Sequence, residues 1–464
     1  MEPFTVLPQR KGVTKSTRYR ASRYNIKAVE PDGSMYMTNT MSGAFMHISA
    51  EQVPYVDQLL KLGADESLEG LAAVLKKQGF LVREDINEFF RARMLHEMVG
   101  RSEQKLRLIF LTTEQCNFRC KYCYEKFEKG KLQPEVIQGV KTFLQHKVRF
   151  LNRLQMSWFG GEPLLALDAI EEISQHIIPL CDEYGVNYRS NMTTNAYLLT
   201  KKNIERLFAC RVFTFQITLD GDAEQHNANR YLQNGAPTFE TIFQNLLHLK
   251  ERPEPFRCKI RINFDQTNVH QIPSFIQKLR AHFGEDLRFR IDYFPIGKWG
   301  GKNDDNLEVV SLKESVKHQL NLCTMGLEEG LNNDLEDILK PGGYVCYAAK
   351  SNSFVIGSDG IVYKCTVALY NENNQIGRIT PDGQMQLDAD KHALWIMNDE
   401  SEDSGCKSCF LRPSCQGASC PLVRIEKGVA PCPPLKSKIK DVIRIVGKEK
   451  RKMAVQRQAT SANA

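Results

Sequence analysis

From residue 106 onward the apolar positions fall into short runs at 106–112, 154–159, 187–193, 212–219, 259–264 and 287–293. Stretches with a helical repeat lie between them, at 135–150, 167–181, 201–207, 239–249 and 272–283. Six strands alternating with helices predict an α/β fold with a parallel sheet and right-handed crossovers. Strands buried on both faces read as continuous apolar runs rather than as alternation, and these do. The rim at the strands' C-terminal ends is where such sheets place their chemistry.

The two ends of the chain follow other patterns. Strands are expected at 24–29 and 34–38 around the turn Pro31-Asp32-Gly33, with a third at 44–48. Ser49 is placed to cap a helix over 50–62 that has Val53, Val56, Leu59 and Leu60 on one face. A second helix is expected from Ser67 to Gln78, then a strand at 80–82 and a third helix over 84–99. Strands followed by three short helices resemble a winged helix-turn-helix. After Trp299-Gly300-Gly301-Lys302 the pattern weakens, and 299–306 is expected as a loop. Beyond Cys346 regular elements are sparse and cysteines frequent, so metals are the expected staples. A basic helix and a polar tail ending ATSANA close the chain. The expected segments are 1–100, 101–310, 311–435 and 436–464.

A length of 464 residues suggests roughly two to four domains. The net charge of +7 is mild, but basic residues concentrate at 11–23 and 436–452. Such runs are usually solvated faces; an acidic peptide is the functional alternative, and nucleic acid fits less well because aromatic interleaving is absent. No apolar run approaches a membrane span of about 18 residues. MEPFTVLPQRKG lacks an apolar signal core, so a cytoplasmic protein is expected. Fourteen cysteines in a reducing compartment point to metal ligation rather than disulfides. Cys181, Cys210 and Cys258 stand singly in apolar or periodic stretches and read as core thiols.

The chemistry concentrates in two constellations. Cys116, Cys120 and Cys123 form C-x3-C-x2-C directly after the first of the six strands, with Tyr122 before the third cysteine. Three thiolates on one loop can hold three irons of a cubic cluster and leave the fourth open to a small molecule. Zinc usually takes four ligands from C-x2-C pairs, which this loop lacks. The second constellation is Cys346, Cys365, Cys406, Cys409, Cys415, Cys420 and Cys432, with Gly360 five places before Cys365. A pair of zinc ribbons is the alternative reading of these seven.

CNFRCKYC after the first strand resembles the radical S-adenosylmethionine superfamily. The resemblance implies a partial (β/α)6 barrel and a [4Fe-4S] cluster on Cys116, Cys120 and Cys123. Its open iron would chelate the methionine part of S-adenosylmethionine, which the reduced cluster cleaves to a 5′-deoxyadenosyl radical. Gly160-Gly161-Glu162-Pro163 resembles the family's GGE-P motif. Around the cofactor the resemblance further implies Tyr122, Thr194, Asn195, Thr218 and Arg230, the hydroxyls toward the ribose and Arg230 toward the carboxylate. The C-terminal cysteines resemble a SPASM domain with two auxiliary clusters, three [4Fe-4S] clusters in all. One would use Cys406, Cys409, Cys415 and Cys432, the other Cys346, Cys365 and Cys420. The interval in CQGASC is one residue longer than usual, and the nearest upstream candidate for a fourth ligand is Cys323.

The N-terminal module resembles the peptide-recognition domain of peptide-modifying relatives, which pairs a leader peptide onto its sheet edge. The implied function is maturation of a ribosomally made precursor peptide, by thioether formation between a cysteine and a carbon of another residue. An electron donor such as flavodoxin or ferredoxin is implied as a partner; no membrane or nucleic-acid partner is expected. Alternatives are carbon–carbon crosslinking, sulfatase-maturase-like oxidation, and a non-catalytic iron–sulfur regulator binding DNA. Sulfatase maturases carry Asp after the cysteine matching Cys365, where this chain has Thr366. No general acid or base is identified.

Overall fold

The computed structural model describes residues 18–462 apart from 66–67, 285 and 398–402. The helix start expected at Ser67, the first part of the basic run at 11–23 and the last two residues of the tail lie outside the described residues.

The N-terminal strands are β1 (Tyr19–Ala21), β2 (Asn25–Val29), β3 (Met35–Asn39), β4 (Phe45–Ile48) and β5 (Leu81–Arg83). β2, β3 and β4 form an antiparallel sheet, and β1 pairs separately with β5. The β2–β3 turn closes at Gly33 (φ +81°), where Asp32 accepts from the Ser34 amide at 2.9 Å. The first helix runs Val53–Leu62 rather than from residue 50, because Pro54 is tolerated only in a first turn. The third begins at Glu88, after Asn87, whose side chain accepts from the Phe90 amide at 3.2 Å.

The central strands are β6 (Lys105–Thr113), β7 (Arg153–Gly160), β8 (Asn187–Thr194), β9 (Val212–Thr218), β10 (Arg257–Phe264) and β11 (Phe289–Pro295). They lie in sequence order and all neighbours are parallel. Helices over Pro134–Lys147, Leu167–Glu183, Lys201–Ala209, Phe239–Lys250 and Ile272–Phe283 occupy the expected crossovers. Two helices, Ala223–Asn229 and Leu312–Glu328, had no counterpart among the expected elements. The second of these is capped by Ser311, which accepts from the Glu314 amide at 3.3 Å, and it lies along β11, where Gln319 donates to the Tyr293 carbonyl at 2.9 Å.

The sheet continues past β6. β12 (Ser353–Ile356) pairs parallel to β6, then β13 (Ile361–Tyr363), β14 (Gln375–Ile379) and β15 (Met385–Leu387) follow antiparallel, giving ten strands in one sheet. The cysteine-rich segment is therefore hydrogen-bonded to the central sheet along a whole strand.

The helix Ile439–Ala462 extends into the expected polar tail. It packs on the N-terminal sheet: a side chain at Gly447 would begin 2.6 Å from the Tyr36 ring. Arg444 bonds the Val29 carbonyl at 3.0 Å and pairs with Glu30 at 3.2 Å. Ile26, Ala28 and Tyr36 belong to the main core, whereas Met35, Met37, Ile48 and Val56 form a smaller core on the other face. Cys181, Cys210 and Cys258 are buried.

Candidate functional site

The cysteine loop leaves β6 and is held by main-chain bonds to the segment after the helix Ala223–Asn229. Arg119 donates to the Tyr231 carbonyl and Lys121 to the Asn229 carbonyl, each at 2.9 Å, while Gln233 donates to the Asn117 carbonyl at 2.8 Å. The Phe118 amide points at the Cys116 sulfur, 3.3 Å away. Cys116, Cys120 and Cys123 then line one cavity at the C-terminal ends of the central strands. Burial, then Glu162, pushes the Cys116 thiol well up; burial, then Cys120, pushes Cys123 up to about 12. Thiols so crowded ionise only beside a compensating cation, which is what an iron ligand position supplies.

Tyr122, Gly160, Gly161, Thr194, Asn195, Thr218 and Arg230 line the same cavity. A Cβ on Gly160 would lie 2.2 Å from the Thr113 carbonyl oxygen, and one on Gly161 would lie 2.3 Å from that of Gln115. Their bareness lets the turn after β7 press against the start of the cysteine loop. Glu162 is fully buried and does not line the cavity. It accepts from Thr194 Oγ1 and the Asn195 amide, both at 2.7 Å, and from the Leu164 amide at 3.0 Å. Its place is therefore beneath the β8 end, which it holds in position. Asn195 in turn donates to Asn117 Oδ1 at 2.8 Å, tying that end to the cysteine loop.

Tyr122 is tied from three sides. Its hydroxyl donates to Asp220 at 2.5 Å and accepts from Arg230 Nη1 and Asn263 Nδ2, both at 2.9 Å. Arg230 is buried, and its Nε has no hydrogen-bond partner. An unpaired guanidinium nitrogen on a cavity wall fits a carboxylate ligand. Other wall residues escaped the sequence reading: Glu125, Phe127, Phe159, Arg261, Asn263, Phe294 and Trp299. Arg261 and Asn263 sit at alternate positions of β10, and a polar pair at that spacing in a buried strand is the signal that marks them. Burial, then Glu114, raises the Glu125 carboxyl to about 8.

The other cysteines gather in two groups. Around Cys406 stand Cys415, Cys409 and Cys432, and Lys436 donates to the Cys432 sulfur at 3.3 Å. Cys365 and Cys420 are the thiols that act most strongly on Cys346, whose own thiol burial first raises to about 11. The longer interval in CQGASC forms a left-handed pair at Gln416 (φ +56°) and Gly417 (φ +67°). That pair delivers the Ala418 carbonyl to the Cys346 amide at 2.9 Å. Asn374 clasps Cys365, accepting from its amide and donating to its carbonyl, both at 2.8 Å. Cys323 lies apart in the core beside Tyr293, with Asp292, Glu449 and Asp334 as its charged neighbours. Tyr124 lies between the first and second sites, acted on by both Cys123 and Cys365.

Among the described residues no three His, Cys, Asp or Glu side chains are arranged around a single ion. A cubic cluster asks for no such point, since each iron takes one thiolate. Arg107 Nε and Arg424 Nη1, beside Cys346 and Cys420, are buried without a partner, so an anionic group fits at these thiols. No helix of the described residues is long and apolar enough to cross a membrane.

Comparison with known proteins places these features. The profile described as Radical SAM superfamily matches residues 110–272. The GTP 3′,8-cyclase of a Cyanothece species is 34% identical over 301 residues, 57% of this chain and 80% of that protein. The radical SAM cyclopropyl synthase TigE of Paramaledivibacter caminithermalis is 23% identical over 76% of each chain. The serine-type anaerobic sulfatase-maturating enzyme of Bacteroides thetaiotaomicron is 23% identical over 67% of this chain and 81% of its own. The solved structure described as native anSMEcpe with bound AdoMet and Cp18Cys peptide shares the fold, with TM-score 0.54 and 17% identity over 76% of this chain and 99% of that one.

Proposed function

Because the chain belongs to the radical S-adenosylmethionine superfamily of enzymes, we propose that it matures a ribosomally synthesised peptide by joining a cysteine sulfur to a carbon of another residue. The observation that carries this reading is the Cys346, Cys365 and Cys420 site, which has three thiols and no contribution from Cys323. A fourth iron there would lack a protein thiolate and could take one from the substrate. When bound, the first cluster and S-adenosylmethionine supply one-electron chemistry that removes hydrogen from carbon.

The chain's own residues do the rest. Cys116, Cys120 and Cys123 hold the first cluster, and Arg230 offers its unpaired Nε to the cofactor's carboxylate. Thr194, Asn195 and Thr218 present polar groups from the β8 and β9 ends, with Glu162 locking the first two. Phe127, Phe159, Phe294 and Trp299 exclude water from the reacting carbon. Cys406, Cys409, Cys415 and Cys432 hold a second auxiliary cluster. Among the described residues the edges of β2 and β4 have no strand partner, and they suit a leader peptide added as a strand. On this reading 1–100 recognises the leader, 101–310 performs the radical step, 311–435 carries the auxiliary clusters and 436–464 fastens the first segment to the rest.

Maturation of another polypeptide is what the sulfatase-maturating relative is named for, which supports a peptide substrate. A carbon–carbon bond is the second reading, favoured by the cyclopropyl synthase relative. The reconstituted enzyme, reductant and S-adenosylmethionine are incubated with a cysteine-containing peptide encoded beside the gene. A product lacking two hydrogens whose cysteine resists alkylation supports the thioether. A product of that mass with a free thiol selects the carbon–carbon bond. Deoxyadenosine formation that survives Cys116→Ala, Cys120→Ala and Cys123→Ala together overturns both.

A further inference from the structure

Four cations surround the thiols of Cys346, Cys365 and Cys420. Arg107, Lys350 and Lys364 act on Cys346, and Arg424 acts on Cys420. None of the four is in an ion pair among the described residues. The β6–β12 register sets Arg107 against Ser353, and its guanidinium lies 5.8 Å from the centre of the Tyr347 ring. Arg107 Nε is buried and unpartnered, as is Nη1 of Arg424, whose Nη2 reaches the Leu394 carbonyl at 2.7 Å. Lys364 is fully buried and donates only to carbonyls, those of Lys350 at 2.6 Å and Ser353 at 2.7 Å; burial pulls its amine down to about 7, so the fixed charge comes mainly from Arg107, Lys350 and Arg424.

The first site has mixed surroundings. Glu162 acts on Cys116, Asp220 on Cys120 and Glu125 on Cys123, and the cations Arg230 and Arg119 offset them. Guanidinium nitrogens taken out of water without a partner are costly, and an anion at the Cys346 site would satisfy those of Arg107 and Arg424. An iron–sulfur cluster on thiolates is such an anion, and it gains negative charge on reduction. Fixed positive charge therefore favours its reduced form, and local charge is one of the terms that set cluster potentials. The guanidinium groups keep their charge at any working pH.

We propose that Arg107, Lys350, Lys364 and Arg424 make the cluster held by Cys346, Cys365 and Cys420 easier to reduce than the one held by Cys116, Cys120 and Cys123. This rests on reading the Cys346 site as an iron–sulfur site.

The test is an anaerobic potentiometric titration followed by electron paramagnetic resonance. In the protein with all its clusters, the first cluster should be the last to reduce of the two. The reverse order overturns the proposal. On a background of Cys116→Ala, Cys120→Ala and Cys123→Ala, which leaves the auxiliary sites, Arg107→Met should move one titrating component to lower potential. The expected size is about a tenfold change in the oxidised-to-reduced ratio, about 59 mV for one electron. Arg107→Lys should restore most of it. Arg424→Met, on a different element, should shift the same component and serves if Arg107→Met fails to fold. Unchanged potentials with unchanged iron content overturn the proposal. If that background carries no auxiliary iron or signal, the iron–sulfur reading itself falls, which is a distinguishable failure.

Discussion

The hydroxyl of Tyr122 is saturated: one donated bond and two accepted bonds exhaust a phenol. Its ring lines the cavity, but its polar end joins the cysteine loop to the ends of β9 and β10. Tyr122→Phe removes that junction and leaves buried Asp220, Arg230 and Asn263 each short of a partner. The variant should lose about 1–3 kcal/mol of stability, the cost of orphaned buried polar groups, measurable by urea unfolding of the apo protein. It should also bind S-adenosylmethionine more weakly. Gly161→Ala puts a methyl into the Gln115 carbonyl. Deoxyadenosine formation in that variant should fall at least tenfold while circular dichroism stays unchanged; retained cleavage would show that the turn shifts without consequence. Glu162 turns both its oxygens to the β8 end, an arrangement that its motif alone does not reveal.

The helix Ile439–Ala462 ties the N-terminal sheet to the rest of the chain. From sequence it reads as a basic helix and a polar tail, because Lys and Arg are frequent in its first half. Its apolar positions Val442, Ile443, Ile445 and Val446 are all buried. Gly447 is the point of closest approach to the N-terminal sheet, so Gly447→Val should pry the helix from Tyr36. The expected result is weaker precursor-peptide binding by calorimetry with cofactor cleavage retained. Deleting 1–95 is a poorer test of the leader-binding role than a free-standing module would make it. It strips Ile26, Ala28 and Tyr36 from the main core and uncovers this helix, so the truncated protein should aggregate or melt at lower temperature.

One sheet supports two of the three groups of cysteines, that of Cys116 and that of Cys346. β6 leads into the first cysteine loop at its end and pairs along its length with β12, which precedes Cys365. The first and second sites are therefore set by hydrogen-bond register rather than by a linker, with Tyr124 between them. Anaerobic reconstitution should give about twelve irons per chain, four for each cubic cluster. Alanine at Cys116, Cys120 and Cys123 should remove about four. Cys323→Ala should remove none, because Cys323 faces Tyr293 and not the Cys346 group; loss of iron in that variant would place Cys323 at a cluster after all.

The six central strands and their crossovers were readable because strands buried on both faces must be apolar throughout, a demand local enough to survive in sequence. The nearness of Cys116, Cys120 and Cys123 was readable because residues on one short loop are brought together by chain geometry alone. The helix Leu312–Glu328 was not, since its apolar positions are interrupted by polar ones that face solvent. Nor was β12 as a partner of β6, because a four-residue strand carries too little pattern to name its neighbour. The unpaired cations around Cys346 come from four separate parts of the chain, and only packing brings them together. Charge balance at a buried site is a property of distances in space, which no residue's local context records.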